Sequence, residues 1–151
     1  MLLIQRAEHP EDPWSGHMAF PGGRVDAGDG CALDAALRET REEIALDLER
    51  EASLLGRLDE ARTHLRPEAV PHSVVPFVFA LDGDPALTPN HEVQRVVWVS
   101  LDFLADPANR STFTWVRRGL PLPMPSIKIG NGVLWGLTLR LVDDLLRLVS
   151  R

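Results

Sequence analysis

The chain has 151 residues, 44% hydrophobic and 25% charged, with a net charge of −6 at pH 7. That length supports one globular domain (residues 1–151) without disulfide or metal staples, and the acidic balance argues against a general nucleic-acid or membrane-surface binder, since both carry basic excess. The single cysteine, Cys31, forbids an intramolecular disulfide and fits a reducing, cytoplasmic setting. No apolar run approaches the ~20 residues needed to span a bilayer, and residues 1–6 are too short and too soon charged for a signal peptide.

Taken in chain order, Leu2–Arg6 predicts a short strand, and residues 8–16 (EHPEDPWSG) a loop. Pro21-Gly22-Gly23 is a hard turn. Residues 32–46 predict the best helix of the chain, with Leu33, Ala36, Leu37, Thr40 and Ile44 on its core stripe and Asp29 placed to cap its first turn. A strand over 53–58 and a polar loop over 59–71, carrying Arg62, His64 and Arg66, follow. Residues 73–81 (SVVPFVFAL) are strongly β-prone, with Pro76 marking an edge or bulge. A turn at Asp82-Gly83-Asp84-Pro85, a strand over 93–99 and a helical turn over 101–104 come next. Residues 106–125 read as irregular. The tail, 133–149, predicts an amphipathic helix with Leu134, Leu137, Leu141, Leu145 and Leu148 on one side. Strands interspersed with two good helices give a mixed α/β domain.

The chemistry concentrates in residues 20–46, FPGGRVDAGDGCALDAALRETREEIAL. Glu39, Glu42 and Glu43 stand at i, i+3 and i+4, on one helix face beside the apolar stripe. Like charges at that spacing repel by a few tenths of a kcal/mol per pair, and a hard divalent cation would compensate, since Mg²⁺ takes carboxylate oxygens and keeps waters for a phosphate substrate. Ala35, one turn earlier on that face, leaves room for a neighbouring loop. Gly22 and Gly23 can bring backbone groups close to the same metal or phosphate. The plainer alternative is a solvated charged face, which is what most charge runs are. A Gly-Gly turn some 15 residues upstream, with acids between, favours the site.

Gly23, Asp29 and then Arg38-Glu39-Thr40-Arg41-Glu42-Glu43-Ile44 resemble the signature box of the Nudix hydrolases: a glycine, five residues, an acid, seven residues, then REUXEEXGU with U a bulky aliphatic. Here eight residues separate Asp29 from Arg38, aspartate replaces the commoner glutamate, Thr40 stands at an aliphatic position, and Ala45 replaces the glycine. The extra spacer residue, LLIQR, Gly16 followed by Phe20-Pro21-Gly22-Gly23, EEIAL and Trp135-Gly136-Leu137-Thr138 are similar to the coenzyme A pyrophosphatase branch. Residues 8–14 differ from that branch.

The resemblance implies a Nudix-type α/β/α sandwich with a mixed β-sheet, its first strand shortened, and Mg²⁺-dependent hydrolysis (Mn²⁺ as substitute) of a nucleoside diphosphate linked to another moiety. Coenzyme A or a derivative leads, cleaved to 3′,5′-ADP and 4′-phosphopantetheine. ADP-ribose, NADH and dinucleoside polyphosphates are alternatives, and a non-catalytic nucleotide sensor is another. By motif position Glu39, Glu42 and Glu43 become metal ligands, Arg38 orients them, and Gly22 or Gly23 completes the shell. Glu92 is expected as a further ligand or base, and Arg6 and Arg24 as phosphate contacts. The plain readings are a surface strand residue for Glu92 and an edge-strand salt bridge for Arg6. Arg62, His64 and Arg66 read as solvated loop charge, His17 as structural, Trp14 as a base stack or a loop cover, Trp98 and Trp135 as core, and Cys31 as a buried helix residue. The start inside the first strand suggests an exposed sheet edge, which leaves a homodimer open.

Overall fold

In this computed structural model residues 1–10, 14–63, 72–117 and 119–149 are described. The elements in chain order are β1 (Leu2–Arg6), β2 (Met18–Ala19), α1 (Ala32–Ile44), α2 (Leu48–Glu51), β3 (Ala52–Arg57), β4 (Ala61–Thr63), β5 (His72–Val74), β6 (Phe77–Leu81), β7 (Val93–Trp98), α3 (Leu101–Ala105), a 3-10 turn (Pro107–Asn109), β8 (Arg110–Arg117), β9 (Leu120–Ile129), β10 (Gly132–Trp135) and α4 (Gly136–Val149). Helices and strands mix as expected of an α/β chain. Among the described residues every strand pairing is antiparallel. No helix among them is long and apolar enough to cross a membrane. The residues group into two units, Met1–Phe20 with Pro89–Arg151, and Pro21–Thr88.

In the first unit β1 lies between β2 and β7: Ile4 faces Ala19 on one side and Val96 on the other. The strand expected at an exposed edge is therefore flanked on both sides. Its start is tied down as well, with the Met1 amino group donating to the Val99 carbonyl at 2.6 Å and the Val99 N–H returning to Met1 O at 2.9 Å. A second sheet runs β10-β9-β8. Leu3, Met18, Leu104, Ile127, Leu134, Leu139, Val142 and Leu146 form the core of this unit, each large apolar side chain contributing about 1.5–3 kcal/mol by burial.

Two expectations are corrected here. The terminal helix starts at Gly136 rather than 133, because Val133, Leu134 and Trp135 pair with β9. Leu139, Val142 and Leu146, at i, i+3 and i+7, line its core face, while Leu148 is exposed. Residues 106–125, expected to be irregular, instead hold the β8–β9 hairpin. Pro121, Pro123 and Pro125 disguise it. They alternate along β9 opposite Val116, Thr114 and Thr112, so their missing N–H groups share one side of the strand. Pairing with β8 persists throughout, whereas β10 reaches only to Ser126; the prolines thus occupy the stretch of β9 where the β10 side needs no donor.

In the second unit α1 stops two residues short of its expected end. Ala45 takes the left-handed conformation (φ 58°, ψ 24°) and its N–H donates to Arg41 O at 2.9 Å. The β-prone run 73–81 divides at Pro76 into β5 and β6, with the Leu58 N–H donating to Pro76 O at 3.0 Å. β6 pairs with β3, and β5 pairs with β4 inside what the sequence presents as a loop.

Candidate active site

The site is built on α1 and the glycine turn before it, both in the Pro21–Thr88 unit. Asp29 does not cap the helix. Cys31 occupies the N-cap, with no side-chain hydrogen bond there, and is exposed rather than buried. Asp29 instead accepts two hydrogen bonds from the Arg38 guanidinium, Nε to Oδ1 at 3.0 Å and Nη2 to Oδ2 at 2.9 Å. This fork-to-fork pair is the strong, geometrically specific kind. The Asp26 N–H also donates to Asp29 Oδ2 at 2.7 Å, and only 6% of the Asp29 side chain is exposed. Arg38 Nη2 further donates to the Arg24 carbonyl at 3.0 Å. One guanidinium therefore holds the loop 24–29 onto α1.

The remaining nitrogen of Arg38 faces the site. Nη1 lies 3.1 Å from both Glu39 Oε1 and Glu42 Oε2. The hydrogen bond from Arg38, aided by the Asp26 N–H, holds the Asp29 carboxyl below the usual carboxylate range, and the Asp29 partner raises Arg38 further.

The two glycines meet Glu43 and Glu39. The Gly22 N–H (φ 145°) donates to Glu43 Oε2 at 2.9 Å, and Glu43 is buried. A Cβ on Gly23 would fall inside the Glu39 carboxylate, 2.8 Å from Oε2 and closer still to Oε1 and Cδ. Glycine at this position is thus a requirement of close approach rather than of backbone twist. Thr40 takes a core position on the same helix because its hydroxyl is satisfied internally, donating to Ala36 O at 2.7 Å. Ile44 is buried as expected and Ala35 on the glutamate face is buried too, while Leu33, Ala36 and Leu37, expected on the core stripe, are only partly so.

Hard carboxylate oxygens beside a backbone turn fit a hard divalent cation in kind. Among the described residues, however, no group of three His, Cys, Asp or Glu side chains converges on a common metal position: Glu39 and Glu42 turn toward Arg38, and Glu43 toward Gly22.

Arg24 is exposed, and its carbonyl is the atom engaged. Arg6 and Glu92 belong to the other unit. The Arg6 N–H donates to His17 O at 3.0 Å. Glu92 is an exposed residue whose N–H donates to Asn90 Oδ1 at 2.8 Å and whose carbonyl accepts from Ala7 N at 2.8 Å. Trp98, expected in the core, is 52% exposed, and Trp135 is buried. Arg62 is exposed on β4; His64 and Arg66 lie outside the described residues. Asp26 and the Arg24 carbonyl, as partners in the Arg38 clamp, were not foreseen. The eight-residue spacer, which pairs a shorter acid with a longer tether, was the available signal.

Comparison with known proteins identifies the family. The profile described as the NUDIX domain matches residues 1–118. The chain belongs to the Nudix hydrolase family. Its mixed α/β architecture resembles a solved structure, the binary complex of a C. elegans Ap4A hydrolase, with a TM-score of 0.54 and 25% identity over 67% of this chain and 68% of that one. In sequence, the mitochondrial coenzyme A diphosphatase NUDT8 of Mus musculus is 31% identical over 152 aligned residues, covering 99% of this Nudix chain and 70% of that protein. An uncharacterized Schizosaccharomyces pombe protein is 49% identical over 61 residues, which are 40% of this chain and only 18% of that protein's length. Enzymes of the Nudix family typically use divalent metals.

Proposed function

We propose that residues 1–151 act as one Nudix domain that hydrolyses a pyrophosphate bond in a nucleoside diphosphate linked to another moiety, with coenzyme A or a derivative as the leading substrate. The observation that carries this reading is the clamp of Arg38 on Asp29, which presents Glu39 and Glu42 from one guanidinium while the glycine turn receives Glu39 and Glu43. The coenzyme A assignment is supported by likeness to the mouse diphosphatase along nearly the whole chain.

Glu39, Glu42 and Glu43 would hold Mg²⁺, or Mn²⁺ in its place, with backbone oxygen of Gly22 or Gly23 nearby. When bound, the cation neutralises the pyrophosphate and acidifies a water. The chain's own residues do the rest. Arg38 fixes the carboxylates, Gly22 holds Glu43 through its N–H, and Arg24 binds a phosphate oxygen. Water oxygen bonds to one phosphorus, the bridging P–O bond breaks, and a proton is lost to a carboxylate. Coenzyme A would give 4′-phosphopantetheine and 3′,5′-ADP. The substrate is a small molecule, without nucleic acid or membrane.

Dinucleoside polyphosphates are the second reading, favoured by the Ap4A hydrolase named for the C. elegans structure. The test is a Mg²⁺-containing panel of coenzyme A, ADP-ribose, NADH, diadenosine polyphosphates and nucleoside triphosphates read by mass spectrometry. The two coenzyme A products support the first reading. Cleavage of another member alone moves the substrate, and metal-dependent binding without cleavage anywhere makes the chain a sensor.

A further inference from the structure

Outside the glutamate helix, the first unit gathers aromatic rings on one face of the β8–β9–β10 sheet. Residues directly opposite one another in a sheet, and residues two apart along a strand, share a face. Phe113 and Trp115 are two apart on β8. Ser111 precedes them on that face and lies opposite Ser126, which in turn lies opposite Trp135 of β10. The other face of the same sheet carries Ile127 and Leu134 into the core of the unit. The aromatic face is therefore not the one that builds that core.

The rings form a connected set. Trp135 stands 5.2 Å from Phe113 and 5.3 Å from Trp115, centroid to centroid, at 48° and 50°. His17 meets Phe113 and Trp135 edge-on at 5.5 and 5.3 Å. The chain has only four tryptophans, five phenylalanines and no tyrosine, so three of its few large rings are placed here. Trp135 is buried, while His17, Phe113 and Trp115 are half-buried and Leu122, opposite Trp115, is 39% exposed. At the Ser111 end the hydroxyls of exposed Ser111 and buried Ser126 stand 3.0 Å apart. A half-open aromatic platform with a small polar pair at one end is the composition of a site for a flat, hydrogen-bonding ring.

We propose that the platform of Phe113, Trp115 and Trp135, walled by His17, binds the nucleobase of a nucleotide ligand. The choice of occupant rests on the reading of the chain as a hydrolase of nucleoside diphosphates. Such a substrate brings a π-face that stacks on aromatic side chains without regard to sequence, and a base edge for the Ser111 hydroxyl. The role is recognition of the base by stacking.

The test uses AMP as probe and ribose 5-phosphate as the base-free control, with indole N–H signals and calorimetry as readouts on the full chain. AMP is expected to shift the Trp115 and Trp135 indole signals, and ribose 5-phosphate to leave them in place. Trp115→Leu should weaken AMP binding about tenfold, the order given by losing one base-stacking ring, whereas Trp115→Phe should recover most of it. Both variants should melt within a few degrees of the parent, because Trp115 is half-exposed. If Trp115→Leu folds and binds AMP as the parent does, if AMP moves only Trp14 or Trp98, or if AMP does not bind at all, the proposal is overturned. AMP binding through Trp115 in a chain that cleaves nothing in the substrate panel would sink the hydrolase reading and leave the platform standing.

Discussion

Replacing Gly23 with alanine separates catalytic geometry from folding. The added Cβ would sit 2.8 Å from Glu39 Oε2 and nearer to Oε1, whereas ordinary contact begins at 3.4 Å. The carboxylate must therefore withdraw by roughly 1 Å. It is the free end of a flexible side chain, so it can do so by a χ rotation costing about 0.5–1.5 kcal/mol, with no core atom displaced. In a chain of this size that is a drop of roughly 1–6 °C in Tm. The cost to chemistry is larger, because a misplacement of about 1 Å in a positioning group can lose 10²-fold in rate. Gly23→Ala should thus keep its circular dichroism spectrum and lose about a hundredfold in kcat/KM, measured on whichever panel substrate the parent cleaves. Parent-like turnover would refute the role of the Gly23–Glu39 approach. A collapsed fold would refute the claim that only the carboxylate moves.

Other outcomes follow from neighbouring contacts. Ala45 holds a left-handed conformation, at φ 58°, that disfavours a residue with a Cβ by roughly 1–2 kcal/mol, partly offset by the entropy glycine loses on folding. Ala45→Gly should raise Tm by about 1–4 °C; a lower Tm would show that the Ala45 methyl has contacts worth more than the strain. Asp29 is held below its ordinary value by Arg38. Its contribution to stability is present above the unfolded pKa of about 3.9 and is lost as pH falls through the lower folded value. Asp29→Asn should flatten that acid limb in pH-dependent denaturation, and an unchanged limb would contradict the clamp. Glu42→Gln and Glu43→Gln keep an acceptor and shape while removing charge. Each should cut kcat by orders of magnitude at near-parent stability, and near-parent turnover in both would place the chemistry elsewhere.

The helix carrying the glutamates was legible because its period of apolar residues and its acid spacing are local properties of the chain. So was β1, a short apolar run ending in charge. The β8–β9 hairpin was not, since three prolines on one strand argue against pairing until the partner strand is known to lie on the other side. Trp98 is expected in the core from its residue type, yet solvent meets it, and Leu148, on the apolar side of the expected tail helix, is exposed in the last turn of α4. Asp29 looks like a cap in the sequence because acids precede many helices; its partner, nine residues on, is reached only once the loop folds back. Phe113 and Trp115 left a period-two signal within a β-prone run, but Trp135 and His17 join them only through sheet register and the β1–β2 connection.

Mn²⁺ binding measured by electron paramagnetic resonance, on the parent and on the Glu39→Gln, Glu42→Gln and Glu43→Gln variants, bears most directly on the claim that α1 carries the metal. The parent should take up Mn²⁺, Mg²⁺ should compete for it, and each substitution should weaken uptake while the fold persists. Parent-like Mn²⁺ affinity in all three variants would contradict the assignment and remove the glutamate face from the mechanism.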